Sequence, residues 1–168
     1  MLFPALMAFA AANDLFTMTI SNRISLLLIA GFIVVAAFAG IGLQDAMWHL
    51  AAAVIVLVAA FVCFARGWMG GGDAKLAAAT ALWFGFSHHL MDYLLYTTVL
   101  GGMLTLAILL FRQWPLQPFM MSQPWIERLH NKKTGIPYGV ALAIGAMLIY
   151  PDTRWFKMVD LGFLASGS

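Results

Sequence analysis

Seven acidic residues occur in the 168-residue chain: Asp14, Asp45, Asp73, Asp92, Glu127, Asp152 and Asp160. Two stand apart by position. Asp14 closes the first apolar segment, and Asp73 follows Gly70, Gly71 and Gly72 at the start of a later one. Ionisable groups at the ends of membrane helices are costly and invite a functional reading. Two carboxylates brought within a few ångströms cannot both ionise easily, so they share a proton. One can then act as general base on a water while the other protonates a scissile carbonyl oxygen or a leaving amine. That chemistry hydrolyses a peptide bond and needs no metal, no thiol and no bound cofactor. The glycine triplet has a use beside it. Glycine lets another backbone approach closely, so an extended peptide could lie along it through main-chain hydrogen bonds. The same residues also have a plainer reading: a turn at 70–72, Asp73 as the N-cap of the next helix, and Asp14 as a solvated loop acid. Spacing alone leaves both open.

The elements that must position these acids are set by composition. Hydrophobic residues make up 63% of the chain and charged residues 10%, against about 45–50% and about 25% in an ordinary soluble domain. This excludes a typical soluble enzyme, and it excludes disorder, which needs low hydrophobicity and high charge. One cysteine, Cys63, excludes an internal disulfide framework and a Cys-based zinc cluster. A net charge of +2 is too small to argue for nucleic acid. The expectation is a single integral membrane domain over 1–168, all-α, in contact with lipid. A spanning helix needs roughly 20 apolar residues. Segments 24–43, 47–65 and 93–111 meet this, and 2–12, 76–86 and 137–150 are shorter. Residues 76–111 would run about 54 Å as one helix, so His88, His89 and Asp92 mark a break. The result is a bundle of about six spans. The first segment has the length of a signal peptide, yet it lacks a basic start and a small-x-small cleavage site, so it reads as a retained helix.

With six spans the loops alternate. One face receives Arg23, Arg66, Lys75, Arg112, Arg128, Lys132 and Lys133; the other receives Arg154 and Lys157. Lysine and arginine favour the cytoplasmic side, which places the first, third and fifth loops there. Asp14 follows span one and Asp73 precedes span four, so both emerge on that cytoplasmic face. Trp48, Trp68, Trp114, Trp125 and Trp155 lie near expected ends, where an aromatic belt would put them; Trp83 lies inside span four. The basic stretch 112–136 holds Pro115, Pro118 and Pro124, which argue against a long helix.

At this point the residues resemble a known family. Asp14-Leu-Phe-Thr-Met-Thr-Ile-Ser-Asn22 resembles the first-aspartate motif of type IV prepilin leader peptidases, in which an aspartate precedes Ile-Pro-Asn. Gly70-Gly-Gly-Asp73-Ala-Lys-Leu resembles the GxGD signature of these membrane aspartyl proteases, and Ile136-Pro-Tyr-Gly-Val-Ala-Leu-Ala-Ile-Gly145 resembles their closing segment. The three occur in family order and together are far more specific than GxGD alone. The short length is similar to the forms attached to tight-adherence (Flp-type) pilus systems. The resemblance implies Asp14 and Asp73 as the catalytic pair and Gly70, Gly71, Gly72 and Asn22 as substrate-binding residues. It implies no metal and no cofactor. The implied substrate is a prepilin precursor with a basic leader and a hydrophobic helix, cut at the cytoplasmic face of a bacterial inner membrane, with pilus assembly machinery as a partner class. Methyltransferase activity is not carried over, because there is no room between spans one and two for the extra region that large bifunctional forms carry. Ser21 departs from the family's proline and leaves that loop freer.

Other residues have plainer readings. His88 and Asp92 share a helix face, but zinc needs three or four ligands, and an interfacial turn accounts for them better. His130 reads as solvated, Cys63 as a small hydrophobe, and the methionines, Met120 and Met121 included, as packing. Two other functions compete with the peptidase. A non-catalytic subunit or assembly factor of a pilus or secretion complex would keep the fold and leave processing to another protein. A proton-coupled transporter would need acids near the middle of a span, which are lacking.

Overall fold

The computed structural model describes residues 2–115 and 122–158. Pro118, Met120, Met121 and Asp160 lie outside the described residues. The chain forms α1 (Leu2–Thr17), α2 (Asn22–Phe38), α3 (Leu43–Ala65), α4 (Gly71–Phe84), α5 (His88–Phe111), α6 (Pro124–His130) and α7 (Tyr138–Ile149). A 3-10 turn at Tyr150–Asp152 and a helical turn at 154–158 follow. No strand occurs among the described residues.

The breaks have local causes. Segment 24–43 was expected as one span, yet α2 ends at Phe38, because Gly40 turns the chain at φ +61°. The break in 76–111 falls at 85–87 and not at 88–92. Gly85, at φ +61°, ends α4 in a conformation that L side chains avoid. His88 and His89 consequently open α5. Asp73 is not an N-cap: Gly70 holds that position and Asp73 stands three residues inside. Among the described residues of the basic 112–136 stretch, the helix is the seven-residue α6, with a proline in its first turn. Arg112 anchors this stretch: it is buried, and its guanidinium donates to the carbonyls of Leu129 (2.7 Å), Thr134 (3.1 Å) and Gly135 (2.9 Å).

α4 is the axis of the bundle. It packs on α2, α3 and α7, and every residue from Leu76 to Phe84 is buried. A helix apolar all round must be enclosed, and at 14 residues it extends only about 21 Å. α3 and α5 are the opposite case. Both are long and apolar enough to cross a membrane, yet their apolar stretches are only 22% and 11% buried. A soluble protein's core helix of that hydropathy would be mostly enclosed.

Trp83 is central to the core. Its indole N–H donates to Leu28 O at 3.0 Å, and its ring meets Phe3, Phe32 and Tyr150. Trp155 was expected at the membrane boundary and is instead 1% exposed, donating its indole N–H to Trp83 O at 2.6 Å. Its partner is a carbonyl near the C-terminus of α4, a group the helix itself cannot satisfy. Trp83→Phe keeps most of the ring volume and loses the bond to Leu28. We expect a loss of about 1 kcal/mol in detergent unfolding, the usual size of one hydrogen bond; an unchanged unfolding midpoint would contradict that role.

Candidate active site

Asp14 lies in the last turn of α1 and is 4% exposed, so it is not a solvated loop acid. Beyond it α1 closes in a left-handed turn: Met18 takes φ 55° and its N–H donates to Asp14 O at 2.8 Å. That turn directs Ile20 onto the start of α4. A Cβ on Gly72 would stand 3.0 Å from Ile20 Cβ, so a side chain there would force Ile20 to yield by a few tenths of an ångström.

Asp73 is 7% exposed. Its Oδ2 accepts the Gly70 N–H at 3.2 Å, one of the amides that a helix start leaves without an intrahelical partner. Its Oδ1 is buried with no hydrogen-bond partner.

Asp14 is tied to a third element: the Gly139 N–H, at the start of α7, donates to its Oδ2 at 2.7 Å. Asp73 lies within electrostatic reach of Asp14, while its own hydrogen bond comes from the Gly70 amide. Each carboxylate therefore faces the positive end of a helix dipole: Asp14 that of α7, Asp73 that of its own α4. Gly139 has no room for a side chain. A Cβ there would lie 2.5 Å from Ile20 Cδ1, 2.8 Å from Asp14 Oδ2 and 3.1 Å from Asp14 Cβ.

The remaining expected residues take different places. Gly70 is in extended backbone and its amide serves Asp73. Gly71 and Gly72 are not extended; they form the first turn of α4, Gly71 against the Phe64 ring and Gly72 against Ile20. Asn22 accepts a hydrogen bond from Lys75 Nζ at 2.9 Å, which ties the start of α2 to the first turn of α4. Gly139 and Ile20 were not among the expected site residues. The signal for Gly139 was its place in the 136–145 segment; nothing local pointed to Ile20. Among the described residues no group of three His, Cys, Asp or Glu is placed to hold a metal ion.

Residues 1–110 match the model of the type IV leader peptidase family. The chain belongs to that family. The matched stretch holds both aspartates, while Gly139 lies beyond it. No curated protein and no solved structure gives a significant match to this leader peptidase family member. Family membership supports a protease acting on prepilin-type leaders.

Ser21 can be judged against this family's proline. Its φ is −65°, the value a proline ring imposes, and it serves as the N-cap of α2, its Oγ accepting the Arg23 N–H at 3.3 Å. The loop already holds the backbone angle that proline would lock. Ser21→Pro exchanges a long cap bond for a more restricted unfolded chain. We expect stability to change by less than about 1 kcal/mol and activity to persist; loss of folded protein would show that the Ser21 cap is essential.

Proposed function

We propose that the chain is a membrane aspartyl endopeptidase. It cleaves the leader of type IV, Flp-like prepilins at the cytoplasmic face of the inner membrane, through Asp14 and Asp73, without methyltransferase activity. The observation that carries this reading is the proximity of two buried carboxylates from elements far apart in sequence, Asp14 held by the Gly139 amide and Asp73 by the Gly70 amide. In the proposed step the pair shares one proton. The ionised carboxylate takes a proton from water as the water attacks the scissile carbonyl; the protonated one supplies its proton to the carbonyl oxygen. The carboxyl that took the water's proton then gives it to the leaving amine as the C–N bond breaks, and the other carboxylate takes back a proton from the tetrahedral hydroxyl. Asp73 Oδ1 is the oxygen left open for a water or a substrate group.

The reading takes 1–168 as one peptidase domain and α1–α5 and α7 as six membrane-embedded helices. The short α4 is enclosed by the others and need not meet lipid along its length, while α7 turns Ile144 and Leu148 outward. The outward apolar surface of α3 and α5 supports the membrane setting. Arg23, Arg66, Lys75 and Arg112 stand at the helix ends on the acid side, which supports its cytoplasmic orientation. Gly70 holds Asp73, Gly71 and Gly72 allow the close packing beneath it, and Asn22 with Lys75 borders the substrate's approach.

The test is conversion of a co-expressed Flp-type precursor, read as a mobility shift and by the product's new N-terminus. The wild type is compared with the Asp14→Asn/Asp73→Asn double variant at equal membrane abundance, in cells without another prepilin peptidase. We expect conversion with the wild type alone. Equal conversion with the double variant would overturn the mechanism and favour a non-catalytic subunit.

A further inference from the structure

The far end of α4 from Asp73 carries a second polar site. A cavity of about 530 Å³ lies there, within the range of small-molecule sites. Its titratable lining residues are Asp45, His49, His88, His89 and Arg154. The hydrogen-bond pattern settles the state of His49. Its Nδ1 is 2.7 Å from Leu82 O, a group that only accepts, so Nδ1 carries the hydrogen. Nε2 is then a lone pair, and it accepts from Arg154 Nη2 at 2.7 Å. The Arg154 guanidinium also lies over the Trp155 ring at 4.5 Å. Arg154 is thus held in place from two sides while its side chain remains 41% exposed.

Its relation to Asp45 is looser. Nη1 and Asp45 Oδ2 are 3.9 Å apart, too far for a hydrogen bond, and Asp45 is 60% exposed. One mouth therefore presents a cation with free N–H groups and a carboxylate with free oxygens. An anion alone would meet Asp45, and a cation alone would meet Arg154. A dipolar group satisfies both.

The cavity adjoins an apolar one of about 470 Å³, with which it shares Phe86, Ser87 and His88 as lining. This second cavity is a cleft between α3 and α5, lined by Ala52, Ile55, Val56, Leu90, Met91 and Leu94. α3 packs mainly on α4 and α5 mainly on α7, so the cleft is bounded by side chains of two helices that do not close on each other. A dipolar mouth above an apolar cleft matches an amphiphile with a charged head and a hydrocarbon chain.

We propose that this end of the bundle binds a zwitterionic phospholipid with a primary ammonium headgroup, phosphatidylethanolamine being the simplest. Arg154 takes the phosphate, Asp45 takes the ammonium, and one acyl chain lies in the α3–α5 cleft. The proposal goes beyond the peptidase reading and needs from it only that the helices lie in lipid.

Lipid retention by the detergent-purified full chain, titrated by native mass spectrometry, tests it. The probes are dioleoyl phosphatidylethanolamine, phosphatidylcholine and phosphatidylglycerol, with chain-free glycerophosphoethanolamine as the headgroup control. We expect phosphatidylethanolamine to bind about tenfold more tightly than the other two lipids, the scale of one charge-assisted hydrogen bond at a half-exposed site. Asp45→Asn should remove that preference, Arg154→Gln should weaken all three lipids, and the chain-free headgroup should bind at least about 100-fold more weakly, given the apolar area it lacks. Equal binding of the three lipids would overturn the proposal. So would a preference that survives Asp45→Asn, indifference to Arg154→Gln, or a chain-free headgroup that binds as well as the lipid. Precursor conversion by Asp45→Asn should match the wild type, so a failure here is separable from a failure of the peptidase reading.

Discussion

Asp73→Asn should yield a folded, membrane-inserted protein whose cleavage rate is lower by at least about 10²–10⁴-fold, the contribution of a positioned acid or base. The substitution preserves volume and shape. It also preserves an oxygen that can accept the Gly70 N–H now bonded to Asp73 Oδ2 at 3.2 Å, so the start of α4 keeps its cap. What it removes is the ability to gain and lose a proton. Asp14→Asn is the matched case: the new amide oxygen can still accept from Gly139, now at 2.7 Å from Asp14 Oδ2. In the proposed mechanism the two carboxylates share one proton, so each alone is insufficient. Either single substitution should therefore cost about as much as the double one, the non-additivity expected of groups that act as a unit. Initial rates of precursor conversion at equal membrane abundance decide it. A well-expressed, active Asp73→Asn protein would remove Asp73 from the mechanism. Additive losses would mean that the two acids act independently.

Gly139→Ala should reduce cleavage by about 10²-fold, the order of loss that a 1 Å misplacement brings. The added methyl cannot coexist with the present geometry, since it would lie 2.8 Å from Asp14 Oδ2 and 3.1 Å from Asp14 Cβ. Ile20 Cδ1, at 2.5 Å, can swing aside as the end of a flexible side chain; Asp14 Oδ2, at 2.8 Å, must move away, and Asp14 Cβ must yield by a few tenths of an ångström. The carboxylate must then leave the Gly139 amide, and its placement beside Asp73 is lost. The control is Gly102→Ala on the exposed face of α5, where nothing lies within 4 Å. It should leave cleavage unchanged and stabilise the helix by about 1 kcal/mol, the propensity difference between the two residues. If Gly139→Ala cleaves as well as the wild type, the contact with α7 does not position Asp14.

The legible part of this protein is the part set by hydropathy along the chain. α2, α3 and α5 fall where apolar runs are longest, because such runs avoid water whatever they later pack against. The acids were legible as exceptions: charged side chains at the edges of apolar segments have few neutral explanations. The motifs around Asp14 and Asp73 carried the family, and the matched stretch contains both.

What hydropathy could not supply is which face of each helix meets which neighbour. Trp155 and Trp48 look alike as tryptophans near segment ends. One is enclosed against a carbonyl of α4 and the other is exposed on α3, because only Trp155 follows α7 back over the core. The glycine triplet looked like a surface for an extended peptide. Its last two members form the first turn of α4, with Phe64 and Ile20 packed against them. The placement of the site itself was decided only by tertiary structure. Asp14 receives its hydrogen bond from an amide 125 residues away. A backbone N–H has the same identity in every residue but proline, so no side-chain pattern marks the one that a fold will aim at a carboxylate. Two acids at the ends of apolar helices follow from the order of residues alone; the packing of α1, α4 and α7 brings them near one another, Asp14 on the Gly139 amide and Asp73 on the Gly70 amide.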